Sequence, residues 1–356
     1  MVELSLVLSN YNHARFLPQC LDSVFSQSRI PDEVLIVDDC STDNSLEILD
    51  SYAQRYRNIS LLRNGSNEGV CSNVNRLVAL AKGRYVVGVA SDDVWLPGFV
   101  EKSLGMLGRF PEAALCCSYP SYLDHKTGKI LENRSLWAQE ARFFAPVQLA
   151  EAIGRYEGCL FGHTCIMKKE TFLEAGGFLP ELRWHADWFN LLVQGFRHGV
   201  CFVPEALAAL RILSTSYSAH GISHWHRQRE TLRSVLLHLK SDAYADVVEL
   251  FSSSGVLNTR GDEIVFVTTA YDDLYTEKIL RLIKAPSLKY SGLRDLTAML
   301  KDRLGVHEAA ALSFQEMVWG ILSSRKVLWS FFWRAEHLLR ITVRGVLLSL
   351  GWRRFK

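Results

Sequence analysis

Tyr85-Val86-Val87-Gly88-Val89-Ala90-Ser91-Asp92-Asp93-Val94-Trp95 is the stretch on which the reading of this chain turns. A run rich in β-branched residues stops at two adjacent carboxylates, and Trp95-Leu96-Pro97-Gly98 then turns the backbone. This reads as a buried parallel strand that delivers acids to its carboxyl end. In open α/β sheets, ligands sit just beyond that end. Two carboxylates there repel each other unless a cation or a proton intervenes. A divalent metal carrying a phosphate group would satisfy both. The alternative at this point is an exposed Asp-Asp turn, since Asp is a good turn residue.

The segments upstream favour the sheet. Leu4 to Leu8 is an apolar strand that breaks at Ser9-Asn10-Tyr11-Asn12. Leu17, Leu21, Val24 and Phe25 have helical spacing within a helix expected over Phe16 to Gln27. Glu33 to Val37 is a second buried strand, ending in Asp38-Asp39-Cys40-Ser41-Thr42-Asp43, where Ser41 or Asp43 can cap a helix from Ser45 to Tyr56. Ile59 to Arg63 is a third strand, and Asn64 to Gly69 is a loop. Val74 to Lys82 is a helix ended by Gly83. Alternating strands and helices over the first 95 or so residues imply an α/β, doubly wound, mostly parallel sheet. Parallel strands put Asp38-Asp39 and Asp92-Asp93 on one edge.

Composition sets limits. With 356 residues, 48% of them hydrophobic, the chain can build a sizeable core and more than one unit. A net charge of +2 gives no polyelectrolyte signal for nucleic acid. The 8 cysteines form no CxxC pair, which points to reduced thiols in a cytoplasmic protein. The sequence starts directly on a strand and has no run of ~20 apolar residues, so neither a leader nor a membrane span is expected. There is no G-x-G-x-x-G after the first strand and no G-x-x-x-x-G-K-[ST], which excludes the glycine-loop phosphate cradles.

Seven short motifs then follow one another. They are Leu6 to Asn12 with its Ser-Asn-Tyr-Asn end, Val37 to Asp43, Asn67-Glu68-Gly69, Ala81 to Tyr85, Ser91-Asp92-Asp93, Gly176-Gly177-Phe178, and His185 to Phe189. In this order, from residue 4 to about residue 218, they resemble the inverting family 2 glycosyltransferases of GT-A fold, of the kind that builds bacterial surface polysaccharides. The resemblance implies a GT-A-like sheet over residues 1–224, with a nucleotide-binding half (1–110) and an acceptor half (111–224). A mainly helical region, 225–356, would follow.

It also implies roles. Tyr11 would stack on the nucleotide base with Ser9 beside it, and Asp39 would accept from the base's imide N–H. Asp92 would contact the ribose or act through water, and Asp93 would hold Mg²⁺ or Mn²⁺ directly. Asp187 would be the general base of a single inverting displacement; a helix start with Asp187 as a first-turn charge is the simpler alternative. The sequence departs from the family in four places, the first being His185 where a carboxylate usually precedes the base. Cys40 stands where Gly is usual. Val74-Asn75 stands for Arg-Asn. Arg211-Ile212-Leu213 lacks the His of R-x-H, leaving Arg211 to neutralise phosphate, with His220, His224 and His226 as candidate substitutes.

Downstream, Leu115 to Leu123 reads as a strand, Phe144 to Tyr156 as an amphipathic helix, and Gly162 to Met167 as a strand leading to a helix over Lys169 to Glu174. The aromatics Trp137, Phe143, Phe144, Tyr156, Phe161, Trp184 and Trp188 are expected mostly to fill the core. Beyond residue 225 helices are expected, first Arg227 to Leu239 and then Tyr244 to Phe251, with Ile264 to Val267 as a short strand or part of a helix-linked segment and a further helix over Tyr275 to Ile283. The tail 327–356 mixes Trp, Phe and Leu with Arg and Lys, as in a segment lying on a membrane surface or packed on protein.

The expected protein is therefore a peripheral enzyme at the inner face of the membrane. It would take a nucleotide-diphosphate sugar, a UDP-sugar first, and a saccharide or polyprenyl-diphosphate-linked acceptor, with self-association left open. The alternatives are a catalytically impaired glycan-binding scaffold and a nucleotidyltransferase.

Overall fold

Apolar β-branched runs flanked by turn residues become the central strands. In the computed structural model, β1 (Leu4–Asn10), β2 (Glu33–Asp38), β3 (Ile59–Arg63) and β4 (Tyr85–Gly88) lie parallel, with Leu6, Leu8, Ile36 and Val87 completely buried. The residues described are 2–132, 137–156, 160–213, 216–218, 221 and 225–257. Helices α1 (Leu17–Phe25), α2 (Ser45–Arg55) and α3 (Val70–Leu80) make the crossovers. Leu17, Cys20, Leu21 and Val24 of α1 are buried, which is the 3–4 residue period of the sequence turned into one face.

Among the described residues ten strands form one sheet, in the order β3-β2-β1-β4-β9-β6-β10-β5, with two further strands paired to β6 and β10. β5 (Val94–Trp95) is followed by α4 (Phe99–Arg109) and by β6 (Leu115–Asp124), which runs parallel to β10 (Val200–Ile212). β7 (Ile130–Glu132) pairs with β6, and β8 (Arg142–Phe144) with β10, both antiparallel. α5 (Pro146–Tyr156) precedes β9 (Cys165–Lys168), which lies antiparallel between β4 and β6 and joins the two halves. α6 (Lys169–Glu174) and α7 (Ala186–His198) follow, then α8 (Trp225–Lys240) and α9 (Val248–Ser253). The mostly parallel α/β sheet expected from the sequence is present, with β9, β5, β7 and β8 as its antiparallel members.

Several boundaries differ from expectation. The helix expected from Val74 begins at Val70, because Gly69 at φ +84 ends the loop a turn earlier. The strand expected to reach Ala90 ends at Gly88. Val89 to Asp93 then crosses the sheet edge so that Val94–Trp95 can pair with β10. Cys40 adopts φ +65, so the glycine usual in related sequences has a steric reason, and this side chain carries strain of about 1 kcal/mol. Trp137, Phe144 and Phe202 pack on one another, as the core reading expected.

The helix that carries Asp187 is held by buried amides. Asn190 Nδ2 donates to the carbonyls of Phe172 (3.2 Å) and Gly177 (2.9 Å), and its Oδ1 accepts from Gln194 Nε2 at 2.6 Å. On the other side of the Gly176-Gly177-Phe178 turn, Asn75 of α3 donates to the Phe178 carbonyl and accepts from its amide. The turn is thus clamped between α3 and α7. Asn190→Ala would remove three buried hydrogen bonds and leave the Gly177 carbonyl without its side-chain donor, and is expected to destabilise the protein by about 3 kcal/mol, read as a fall in urea midpoint.

α8 braces the loop ahead of α7. Its Gln228, 1% exposed, accepts from Trp184 Nε1 at 2.7 Å and lies 3.3 Å from His185 Nε2. The strand or helix considered at Ile264 to Val267, the helix at Tyr275 to Ile283 and the tail 327–356 lie outside the described residues, as do His220, His224 and the side chain of His226. No helix among the described residues is long and apolar enough to cross a membrane.

Candidate active site

The carboxyl ends of β1, β2 and β4 bring three loops together. After β1, Tyr11 presents a ring 46% exposed, with no aromatic partner among the described residues. Asn12 fixes this loop: its amide donates to Ser41 Oγ, and its Oδ1 accepts from the Thr42 amide at 2.7 Å. Ser9 lies just beneath, its Oγ accepting from Asn73 Nδ2 of α3 at 3.1 Å.

After β2 the two aspartates divide their work. Asp38 is structural, accepting from Asn10 Nδ2 and from the Ser41 amide and hydroxyl. Asp39, 2% exposed, accepts from Asn64 Nδ2 (2.7 Å) and the amides of Glu68 (2.8 Å) and Gly69 (2.9 Å). Burial works to raise its pKa, but these hydrogen bonds outweigh it and hold the carboxyl below the usual range. Asp39 therefore shapes the 64–69 loop, a duty the sequence reading did not give it. Arg76, also missed, sets its guanidinium on Asn64, Asn73 and Glu68. A cation thus stands beside the partners of Asp39, although Val74 supplies none.

At the β4 end, Asp92 and Asp93 have different surroundings. Asp93 is 3% exposed and its Oδ1 accepts from the Arg211 amide at 2.9 Å. Burial first, and the charge of Asp92 second, push its pKa up. The Asp92 carboxylate, 9% exposed, accepts no hydrogen bond among the described residues, while its carbonyl accepts from Arg211 Nε at 2.7 Å. Asp93 is thus tied to β10, and the Asp92 carboxylate is not. Arg211 was expected at phosphate. Instead its guanidinium donates to Gln19 and lies over Phe16 at 4.7 Å, only 6% exposed. His13, which the sequence reading passed over, reaches Ser91 Oγ with Nδ1 at 2.7 Å.

Asp187 opens α7 in its first turn, and its Oδ1 accepts from the Trp188 amide at 2.7 Å. Its Oδ2 lies only 2.8 Å from where a Cβ on Gly162 would stand, so the closeness of the two segments depends on that glycine. Burial pushes the Asp187 carboxyl up, and the Trp188 amide pulls it only part of the way back. The charge of Asp187 is felt by Cys71 of α3, whose thiol points at the Arg183 carbonyl (3.7 Å). Arg183 itself is strained, at φ 48. Cys71 lies two residues past Gly69, whose amide Asp39 holds. Cys71 thus links the start of α3, next to the 64–69 loop, to the turn that leads into Asp187. His163 is a core side chain, driven neutral by burial with a pKa of about 4.

Residues 5–172 match the family model described as Glycosyl transferase family 2. Over that span, just under half of its length, the chain is similar to glycosyl transferase family 2. This glycosyltransferase is 29% identical over 233 residues, 64% of its own length and 85% of the relative's, to a putative teichuronic acid biosynthesis glycosyltransferase, TuaG, of Bacillus subtilis. It is 36% identical over 95 residues, or 26% of its length, to a poly(ribitol-phosphate) beta-glucosyltransferase of Bacillus spizizenii, spanning 15% of that protein. It is 32% identical over 98 residues, or 28% of its length, to the glycosyltransferase GlyG of Streptococcus pneumoniae, spanning 33% of that protein.

In fold it resembles S. aureus TarS 1-349 solved in complex with UDP-GlcNAc, with TM-score 0.60 and 15% identity over 86% of this chain and 93% of that one. It also resembles the mannosyltransferase PcManGT of Pyrobaculum calidifontis, solved with GDP-Man and Mn2+, with TM-score 0.53 and 15% identity over 92% and 88%. At this identity the two structures speak to the GT-A-like fold alone.

Proposed function

We propose that this glycosyltransferase moves a sugar, with inversion, from a nucleotide-diphosphate donor to a hydroxyl of a saccharide or lipid-linked glycan acceptor in bacterial surface-polysaccharide synthesis. The observation that supports this reading is that Cys71, two residues past the Gly69 amide that Asp39 holds, reaches the Arg183 carbonyl in the turn leading into Asp187. It joins a carboxylate with a raised pKa to the side of the cleft that resembles a nucleotide site. A general base must be near enough to take a proton yet basic enough to hold it, and burial supplies the second property.

In this reading the base stacks on Tyr11 and faces the 64–69 loop, with Ser9 beneath. Asp92 would hold Mg²⁺ or Mn²⁺, with Asp93 tying this turn to Arg211 of β10. The residues fit such an ion: no group of three or more His, Cys, Asp or Glu side chains stands ready among the described residues, but magnesium-type ions need only one or two carboxylates when substrate phosphates complete the sphere. When bound, the ion neutralises charge on the leaving diphosphate. Asp187 takes the proton of the acceptor hydroxyl as its oxygen attacks the anomeric carbon from the face opposite the diphosphate.

A cytoplasmic, membrane-peripheral setting follows from the acceptor class and is part of the proposal. Incubation with UDP-, GDP- and dTDP-sugars plus Mn²⁺ is expected to release nucleoside diphosphate from one of them. A product of inverted anomeric configuration, read by NMR, completes the test. Release from none, or a retained configuration, would remove the proposal.

A further inference from the structure

We infer that His13 is a further donor-binding residue, whose Nε2–H hydrogen-bonds the diphosphate beside Asp92. This deepens the nucleotide-donor reading and rests on it. The loop that carries His13 is rigid: Asn12 is tied to Ser41 and Thr42, the Ala14 amide donates to Asp43 Oδ2 at 2.9 Å, and the His13 carbonyl accepts from the amides of Phe16 and Leu17. The imidazole packs edge-on against Phe16, with ring centroids 5.8 Å apart.

Its Nδ1 meets Ser91 Oγ at 2.7 Å, one residue before Asp92. Ser91 is 2% exposed, and its hydroxyl has no other partner among the described residues. A buried hydroxyl proton without an acceptor is costly, so the neutral pair is arranged with Ser91 donating to Nδ1. That arrangement puts the ring proton on Nε2; protonating the ring leaves it there too. Ser91 thus acts as a positioning residue that makes Nε2 a donor.

Three facts aim that donor at phosphate. His13 is half-buried and Nε2 has no partner among the described residues, so its outer edge is open. The nearby Asp43 carboxylate is already engaged, Oδ1 with Ser45 and Oδ2 with Ala14. Arg211, the cation expected to meet the diphosphate, is committed to Gln19, the Asp92 carbonyl and Phe16 instead. His13 is left as the donor next to the free carboxylate.

Calorimetric titration of the full chain with UDP, GDP, their monophosphates and inorganic pyrophosphate, each with Mn²⁺, tests the inference. His13→Phe keeps the packing on Phe16 and removes the donor. It is expected to weaken the bound diphosphate and pyrophosphate about tenfold or more, in line with a lost charge-assisted hydrogen bond, and the monophosphate by less than about twofold. His13→Gln, which retains an N–H donor, is expected to recover part of the loss. Equal diphosphate affinity in His13→Phe, or an equal loss for mono- and diphosphate, overturns the inference while leaving the donor reading intact. A wild-type protein that binds none of these ligands removes both.

Discussion

Asp187→Asn is expected to lower kcat by about 10³-fold, the range a positioned general base contributes, while donor affinity stays within about twofold of wild type. The asparagine Oδ1 can still accept from the Trp188 amide, so the α7 start should be kept. Stability should move the other way from activity. Burial raises the carboxyl's pKa in the folded protein above its unfolded value. The folded state therefore binds that proton more tightly than the unfolded chain, and ionised Asp187 costs stability as pH rises through its folded pKa. At neutral pH the Tm of Asp187→Asn is expected to equal or exceed that of wild type. The same shift moves the acid limb of the wild-type kcat profile above the usual carboxylate range. A variant with near-normal kcat, or with a lowered Tm, would show that Asp187 is only a first-turn helix charge.

The second large effect separates two adjacent aspartates. Asp92→Asn is expected to weaken Mn²⁺-dependent nucleoside diphosphate binding on the order of 100-fold, because it removes the one free carboxylate of the motif. Asp93→Asn keeps an acceptor for the Arg211 amide and should weaken binding less than about tenfold. Asp93→Ala removes that acceptor, leaves a buried amide unpaired, and should reduce stability by about 1–3 kcal/mol. The competing result, strong loss of Mn²⁺ binding in Asp93→Asn with Asp92→Asn nearly normal, would return the metal to Asp93 as the resemblance first implied.

The site was only partly legible beforehand. Tyr11, Asp39, Asp92 and Asp187 could be named because short motifs keep fixed spacing along the chain. Their division of labour could not. Whether Asp92 or Asp93 is free depends on where the Arg211 amide falls, and Arg211 comes from a strand 118 positions away. Arg76 stands two places from the position where a cation was sought, on a helix that starts four residues early. His13 gave no signal, because its partner Ser91 is 78 positions distant.

The sequence by itself determined the alternating strand–helix order, the shared edge of the two acidic pairs and the family resemblance. These depend on local hydrophobic periodicity and turn chemistry, which neighbouring residues fix. Only the tertiary structure decided which carboxylate accepts from the Arg211 amide and which accepts no hydrogen bond among the described residues, how Asn75 and Asn190 clamp one turn between two helices, and that Gly162 lets Asp187 approach. Hydrogen bonding and desolvation set those outcomes through groups far apart in the chain, and no local pattern records them.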